Sequence, residues 1–120
     1  MSSKPIIVSG IQPTGNLHVG NYLGAVKNWV ELQNSDKYEM YIFIADLHSL
    51  AGNMTAKERH EQIIRTSAEL IASGIDPDKT TLFVQSHVAE HTELAWIFNT
   101  VTPISELERM TQFKDKSQQQ

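Results

Sequence analysis

The sequence predicts an α/β fold, a parallel sheet with alternating helices in the order β-α-β-α-β-α. Three observations predict it. The runs "PIIVSG" (5–10), "MYIFIAD" (40–46) and "TTLFVQS" (80–86) are short, apolar and rich in Ile, Val and aromatics, as strands are. The segments between them repeat their apolar residues with helical spacing. Those segments are also long enough to cross from one parallel strand to the next.

The elements follow in order. "PIIVSG" is bounded by Pro and Gly and reads as a strand buried on both faces. From Gly20, the residues Tyr22, Leu23, Val26, Trp29 and Val30 share one face of a helix that "QNSDK" ends. "MYIFIAD" is the second buried strand, with "LHSLAGN" as the loop after it. Thr55 and Glu58 stand as T-x-x-E, a capping box that opens a helix running to Ser73. Ile63, Ile64, Ala68 and Ile71 are its expected inner face. Gly74 suits the position after a helix, and "IDPDK" makes the turn. After the third strand, a helix over 90–100 is expected to turn Leu94, Ile97, Phe98 and Val101 inward, with Trp96, like Trp29, at core spacing. Pro103 breaks it, and Ser105 with Glu108 reads as a second capping box for a short last helix. "FKDKSQQQ" has no closing apolar element and reads as a chain cut in mid-loop.

Composition narrows the function. The chain has 120 residues and a net charge of −4, which suits one small domain or part of a larger one and offers no broad basic surface for nucleic acid. It has no cysteine, which excludes disulfides and thiolate metal sites. Without a long apolar run or a signal-peptide core, the expectation is a soluble cytoplasmic protein with no membrane partner.

"SGIQPTGNLHVGNYLGA" (9–25) raises the functional question. In a parallel sheet the loop leaving the first strand lies at the carboxyl edge, where ligands bind. The helix after it starts with unpaired N–H groups and the positive end of its dipole, which suits an anion. Gly10, Gly15 and Gly20 let backbone approach a ligand, and His18 and Asn21, three apart, can face one point. The dipole contributes only about 0.3–1 kcal/mol, so a nucleotide needs further contacts. The stretch fits neither G-x-x-x-x-G-K-[ST] nor G-x-G-x-x-G well, which disfavours a Walker-type NTPase and a dinucleotide enzyme. On these residues alone, Gly and Asn as plain turn formers with His18 at the surface is an equal reading.

Elsewhere the simple readings suffice. His87 and His91 are four apart with Glu90 between them but lack a third ligand, so no metal site is expected. His60 lies among charges on a solvated face. Asp46 either orients His48 or makes a turn. Glu106, Glu108 and Arg109 read as surface charges.

"GIQPTGNLHVGNYLGA" also resembles the first signature of the class I aminoacyl-tRNA synthetases, with His18-Val19-Gly20-Asn21 where His-Ile-Gly-His usually stands. The form G-x-Q-P-[ST]-G-x-x-x-x-G-N-Y-x-G-A is similar to the tryptophanyl branch. "IADLHSL", "GIDPDKTTLFVQSHVAEH" and "ELERMTQFKDKS" agree, so the resemblance runs in order over nearly the whole chain. Asn21 in place of the second His is the departure from the class-wide form, and it leaves His18 as the motif's only imidazole.

The resemblance implies a Rossmann-like nucleotide-binding fold and tryptophan–tRNA ligase activity: tryptophan is activated with ATP to an adenylate and passed to tRNA(Trp). It implies that Gln12, Pro13, Thr14, His18, Gly20 and Asn21 hold ATP and that Gly10, Gln12 and His48 lie at tryptophan. His18, Asn21 and Lys116 would act in catalysis, Lys116 from a mobile loop. Mg2+ would come with ATP, and a homodimer in the cytoplasm is implied. Residues 1–120 would be the N-terminal half of the catalytic domain. The family's pattern continues with an aspartate for the indole N–H, a second signature and anticodon-binding helices, so these 120 residues alone are expected to be weak or inactive. Tyrosyl-tRNA synthetase and a non-catalytic ATP-binding module are the competing readings, and "GNYLGA" and "MTQFKDKS" favour tryptophan.

Overall fold

A computed structural model of the chain describes residues 4–117, apart from the side chains of Gln112 and Lys116. It divides into two compact units, residues 1–88 and 89–120.

The first unit holds β1 (Ile6–Ile11), α1 (Val19–Asn21), a π-helical turn (Tyr22–Val26), α2 (Lys27–Asn34), β2 (Glu39–Ile44), a 3-10 turn (Leu47–Ala51), α3 (Ala56–Ala72), β3 (Thr80–Val84) and a second 3-10 turn (Gln85–His87). The strands form a parallel sheet in the order β1-β2-β3. Met40, Ile42 and Ile44 alternate onto one face of the central strand and are buried there with Val26, Trp29, Leu70 and Ile75. Both crossover helices therefore cover the same face. Two crossovers of one hand, moving in one direction across a sheet, land on one side.

The other face is open, which corrects the expectation that the first strand is buried on both sides. Ile6 and Val8 are each 63% exposed. Beside them on β2 and β3, the Phe43 and Phe83 rings meet at a tilt with centroids 5.8 Å apart.

Helix phases also depart from expectation. Of the first helix's expected inner face, Val26 and Trp29 are buried and Val30 packs on the core, but Tyr22 and Leu23 are exposed. The π turn is the reason. The Lys27 N–H reaches back to the Tyr22 carbonyl, one residue further than an α-helix allows. That extra residue resets the face, so the residues before it no longer share the phase of those after it. On α3 the inward residues are Thr66 and Leu70, with Ile63 beside the core, whereas Ile64, Ala68 and Ile71 are exposed. Two apolar sets on one helix compete, and the sheet's position decides between them.

The capping box of α3 forms as expected. The Thr55 backbone N–H and hydroxyl donate to Glu58 Oε2 at 2.8 and 2.7 Å, and the Glu58 N–H donates to Thr55 Oγ1 at 3.3 Å. These bonds hold the Glu58 carboxyl below the usual range. The stabilisation is therefore present above the ordinary glutamate pKa and is lost as pH falls through the depressed folded value. The Thr55 amide resonance is expected to titrate with a midpoint below that of an unperturbed glutamate, and a midpoint at or above that of a glutamate in a short reference peptide would contradict the cap.

The second unit contains α4 (Ala89–Val101), α5 (Ile104–Leu107) and α6 (Thr111–Ser117). Pro103 separates α4 from α5 as expected. It is itself the N-cap of α5, Glu108 is the C-cap, and no side chain caps the start, so Ser105 and Glu108 make no capping box. Leu94, Ile97, Phe98 and Val101 are more than half exposed and Trp96 is 72% exposed, against the expectation that they turn inward. Apolar residues run round this helix, and a helix face is buried only where another element covers it. Residues 113–117, expected as the start of a loop, belong to helix α6.

Candidate functional site

β1, β2 and β3 end side by side, with Ile11 paired to Ile44 and Ile44 to Val84. Because the strands are parallel, three exits gather at this edge: the loop 12–18, the turn Leu47–Ala51 and the turn Gln85–His87.

In the first exit, Pro13 is buried and anchors the loop, while Gln12 and Thr14 on either side are exposed. His18 is extended, with φ −111° and ψ 170°, and caps α1. Its Nδ1 accepts the N–H groups of Gly20 (3.1 Å) and Asn21 (3.3 Å), and Asn21 Oδ1 accepts the His18 N–H (3.2 Å). A histidine thus fills the place that Ser, Thr, Asp or Asn takes in most caps. This corrects the expectation of open helix amides, because the histidine occupies two of them. With its Nδ1 lone pair engaged, the neutral ring carries its proton on Nε2, which remains as a donor.

The glycines divide. A Cβ on Gly10 would lie 2.7 Å from the Phe43 ring, and one on Gly20 would lie 3.0 Å from the His18 ring. Their bareness makes room for side chains of this chain. Gly15, at φ +125° with no atom within 4 Å of a built Cβ, is the one of the three that leaves open space.

A cavity of about 90 Å³ opens beneath this loop. Gln12, Thr14, His18 and Asn21 line it together, with Thr66 entering from α3. The expected tryptophan residues Gly10 and His48 are not part of its lining. Gly10 sits under Phe43, and His48, in the second exit, is exposed with Nδ1 3.1 Å from Gln85 Oε1. With the amide oxygen accepting, His48 Nδ1 carries the proton and Nε2 is left as the acceptor. Asp46 is buried, and its Oδ1 accepts the Ser86 N–H at 3.0 Å, so it ties the second exit to the third. Lys116 falls in α6, and its side chain lies outside the described residues.

A larger recess of about 390 Å³ lies at the opposite, amino end of the strands and holds none of the expected site residues. Its lysines face carboxylates, Lys4 with Asp36 at 2.6 Å and Lys79 with Asp76 at 3.7 Å. Among the described residues, no three His, Asp or Glu side chains gather as metal ligands would. No helix among them is long and apolar enough to cross a membrane.

The family model described as tRNA synthetases class I (W and Y) matches residues 1–120. The chain belongs to the class I tRNA synthetases. Curated relatives of this synthetase chain include a tryptophan–tRNA ligase of Clostridium tetani, 53% identical over 116 residues, which are 97% of this chain and 34% of the relative. One of Rickettsia conorii is 51% identical over 114 residues, 95% of this chain and 34% of the relative. The synthetase chain thus spans about a third of the length of the curated relatives it matches. Among solved structures, tryptophanyl-tRNA synthetase of Campylobacter jejuni complexed with ADP and tryptophan aligns at TM-score 0.86 and 36% identity, over 95% of this chain and 35% of that one. The Rossmann-like fold is shared with these structures.

Sequence reasoning passed over several residues at this edge. Arg65, Thr66 and Glu69 look like part of a mixed helix face until the loop is seen resting on them. Gln85 carried a faint signal, a polar residue closing an apolar strand at the ligand-binding edge.

Proposed function

We propose that the protein carrying this chain is a tryptophan–tRNA ligase, which activates tryptophan with ATP and passes it to tRNA(Trp). The observation that carries the reading is the carboxyl edge. Gln12, Thr14, His18 and Asn21 surround one cavity there, in a fold shared at 36% identity with a synthetase complexed with ADP and tryptophan. A tryptophan carboxylate oxygen attacks the α-phosphorus of ATP, and the bond to the pyrophosphate oxygen breaks. This requires no covalent enzyme intermediate, so the protein positions the reactants and stabilises charge. The His18 Nε2–H and the Asn21 side chain act toward the phosphates, Gln12 and Thr14 hold ATP, Gly15 keeps the loop's backbone bare, and Gly20 leaves room for the His18 ring. Pro13 holds the loop from below. Gly10, Gln12 and His48 serve tryptophan, and Lys116 serves the pyrophosphate end of ATP. Mg2+ is carried by the triphosphate and neutralises its charge. The proposed setting is a cytoplasmic homodimer.

The test is ATP–pyrophosphate exchange by the full-length protein with tryptophan or tyrosine. Exchange that depends on tryptophan supports the reading, exchange that depends on tyrosine replaces it with the tyrosine enzyme, and ATP binding without exchange replaces it with a non-catalytic module. In the same assay His48→Ala is expected to raise KM for tryptophan about tenfold, as the loss of one good hydrogen bond would, with KM for ATP unchanged. A change confined to ATP would remove His48 from the amino-acid pocket.

A further inference from the structure

We propose that one face of α3, made by Arg65, Thr66 and Glu69, positions the nucleotide loop 12–18. The proposal rests on the functional reading above for what the loop binds, and on geometry alone for what holds it. The loop leaves β1 with little backbone pairing of its own beyond the Thr14 N–H to the Gln12 carbonyl at 3.0 Å. Unsupported, such a segment samples many conformations, and each binding event must order it again.

α3 supplies the missing partners from fifty residues away. Glu69 Oε2 accepts the Leu17 N–H at 3.0 Å, and Arg65 Nη1 donates to Asn16 Oδ1 at 2.9 Å. Leu17 packs against the core and directly precedes His18, so the carboxylate bond sits one residue from the histidine cap. Arg65 and Glu69 are four apart on the helix and reach the loop side by side. Between them Thr66 is 1% exposed, and its Oγ1 has no hydrogen-bond partner. Thr66 lines the same 90 Å³ cavity as the loop. A buried hydroxyl left without a partner is costly, so this group calls for a partner from within that cavity. Arg65 and Glu69 are positioning residues that act through the loop on His18 and Asn21, with Thr66 lining the cavity between them.

The experiment compares Glu69→Ala, Glu69→Gln and, as a control, Glu61→Ala in the full-length protein. Glu61 is on the same helix and pairs only loosely with Lys57, at 4.0 Å. The readouts are hydrogen exchange of the 12–18 amides, the separate KM values for ATP and tryptophan, and thermal melts. Glu69→Ala is expected to speed exchange at Leu17 and raise KM for ATP, each about tenfold, with a clearly smaller rise in KM for tryptophan, which the loop serves only through Gln12. Glu69→Gln keeps an acceptor oxygen and is expected to restore most of both. Unchanged loop exchange in Glu69→Ala overturns the proposal. So does a parallel rise in both KM values with a lower melting temperature and no rescue by Gln, which is what a merely structural role gives. If Glu69→Ala does not fold, Arg65→Gln, which removes one exposed bond to Asn16, carries the same readouts and decides. A wild-type protein without exchange activity would end the functional reading, and hydrogen exchange at the loop would still decide the positioning.

Discussion

His18→Ala in the full-length protein is expected to lower tryptophan-dependent ATP–pyrophosphate exchange by about 10²- to 10³-fold, the range seen when one preorganised donor is removed from a developing charge. The same substitution removes a helix cap, which costs about 0.5–2 kcal/mol of stability. On the proposed reading His18 does both jobs, with its two ring nitrogens divided: Nδ1 accepts from Gly20 and Asn21, and Nε2 keeps the proton. His18→Asn separates them. Asparagine is a good cap, so this variant is expected to melt near the wild type while exchange stays as low as in the alanine variant. Wild-type exchange rates in His18→Asn would remove the imidazole from catalysis and leave it as a cap alone.

Gln33→Leu is expected to destabilise the fold by about 2–4 kcal/mol, a large share of a small domain's stability. Gln33 is buried near the end of α2. Its Oε1 accepts the Asp76 N–H at 2.8 Å and the Thr80 hydroxyl at 2.9 Å, and its Nε2 donates to the Gly74 carbonyl at 3.1 Å. One side chain thereby ties the first crossover to the turn that feeds β3. Leucine fills the volume but strands the fully buried Thr80 hydroxyl, while the Asp76 and Gly74 groups lie nearer water. Gln33→Glu keeps acceptors and loses the donor, so it is expected to fall between the two. Urea unfolding of the three proteins checks the order, and a loss below about 1 kcal/mol for leucine would mean that water replaces the amide at little cost.

Much of this edge was legible before any fold was seen. The strand runs, the Thr55–Glu58 cap and the Pro103 break rest on neighbours within four residues, which a sequence displays directly. The pairing of His18 with Asn21 was legible from their spacing of three, and Gln12 and Thr14 joined them through the resemblance alone. Tyr22 and Leu23 were misread because nothing in "YLGAV" announces the extra residue of a π turn. Gly10 and Gly20 were read as room for a ligand. Their space is taken by Phe43, paired with Gly10 across the sheet, and by the ring of His18 turning back as a cap.

The sequence by itself determined the element order, the parallel α/β class, the helix-opening cap of α3 and, through the resemblance of its motifs, the synthetase family. Each of these follows from local spacing or from a contiguous motif. Only the tertiary structure decided which apolar set of α3 faces the sheet, that one face of the sheet stays open, that Gln33 closes a buried polar network, and that Arg65 and Glu69 hold the loop before His18. Those outcomes depend on pairs 43 to 52 residues apart, such as Gln33 with Asp76 and Thr80, or Leu17 with Glu69. A charged residue on a helix reads as solvated until a backbone N–H from elsewhere in the chain is brought within 3 Å of it, and chain folding alone sets that distance.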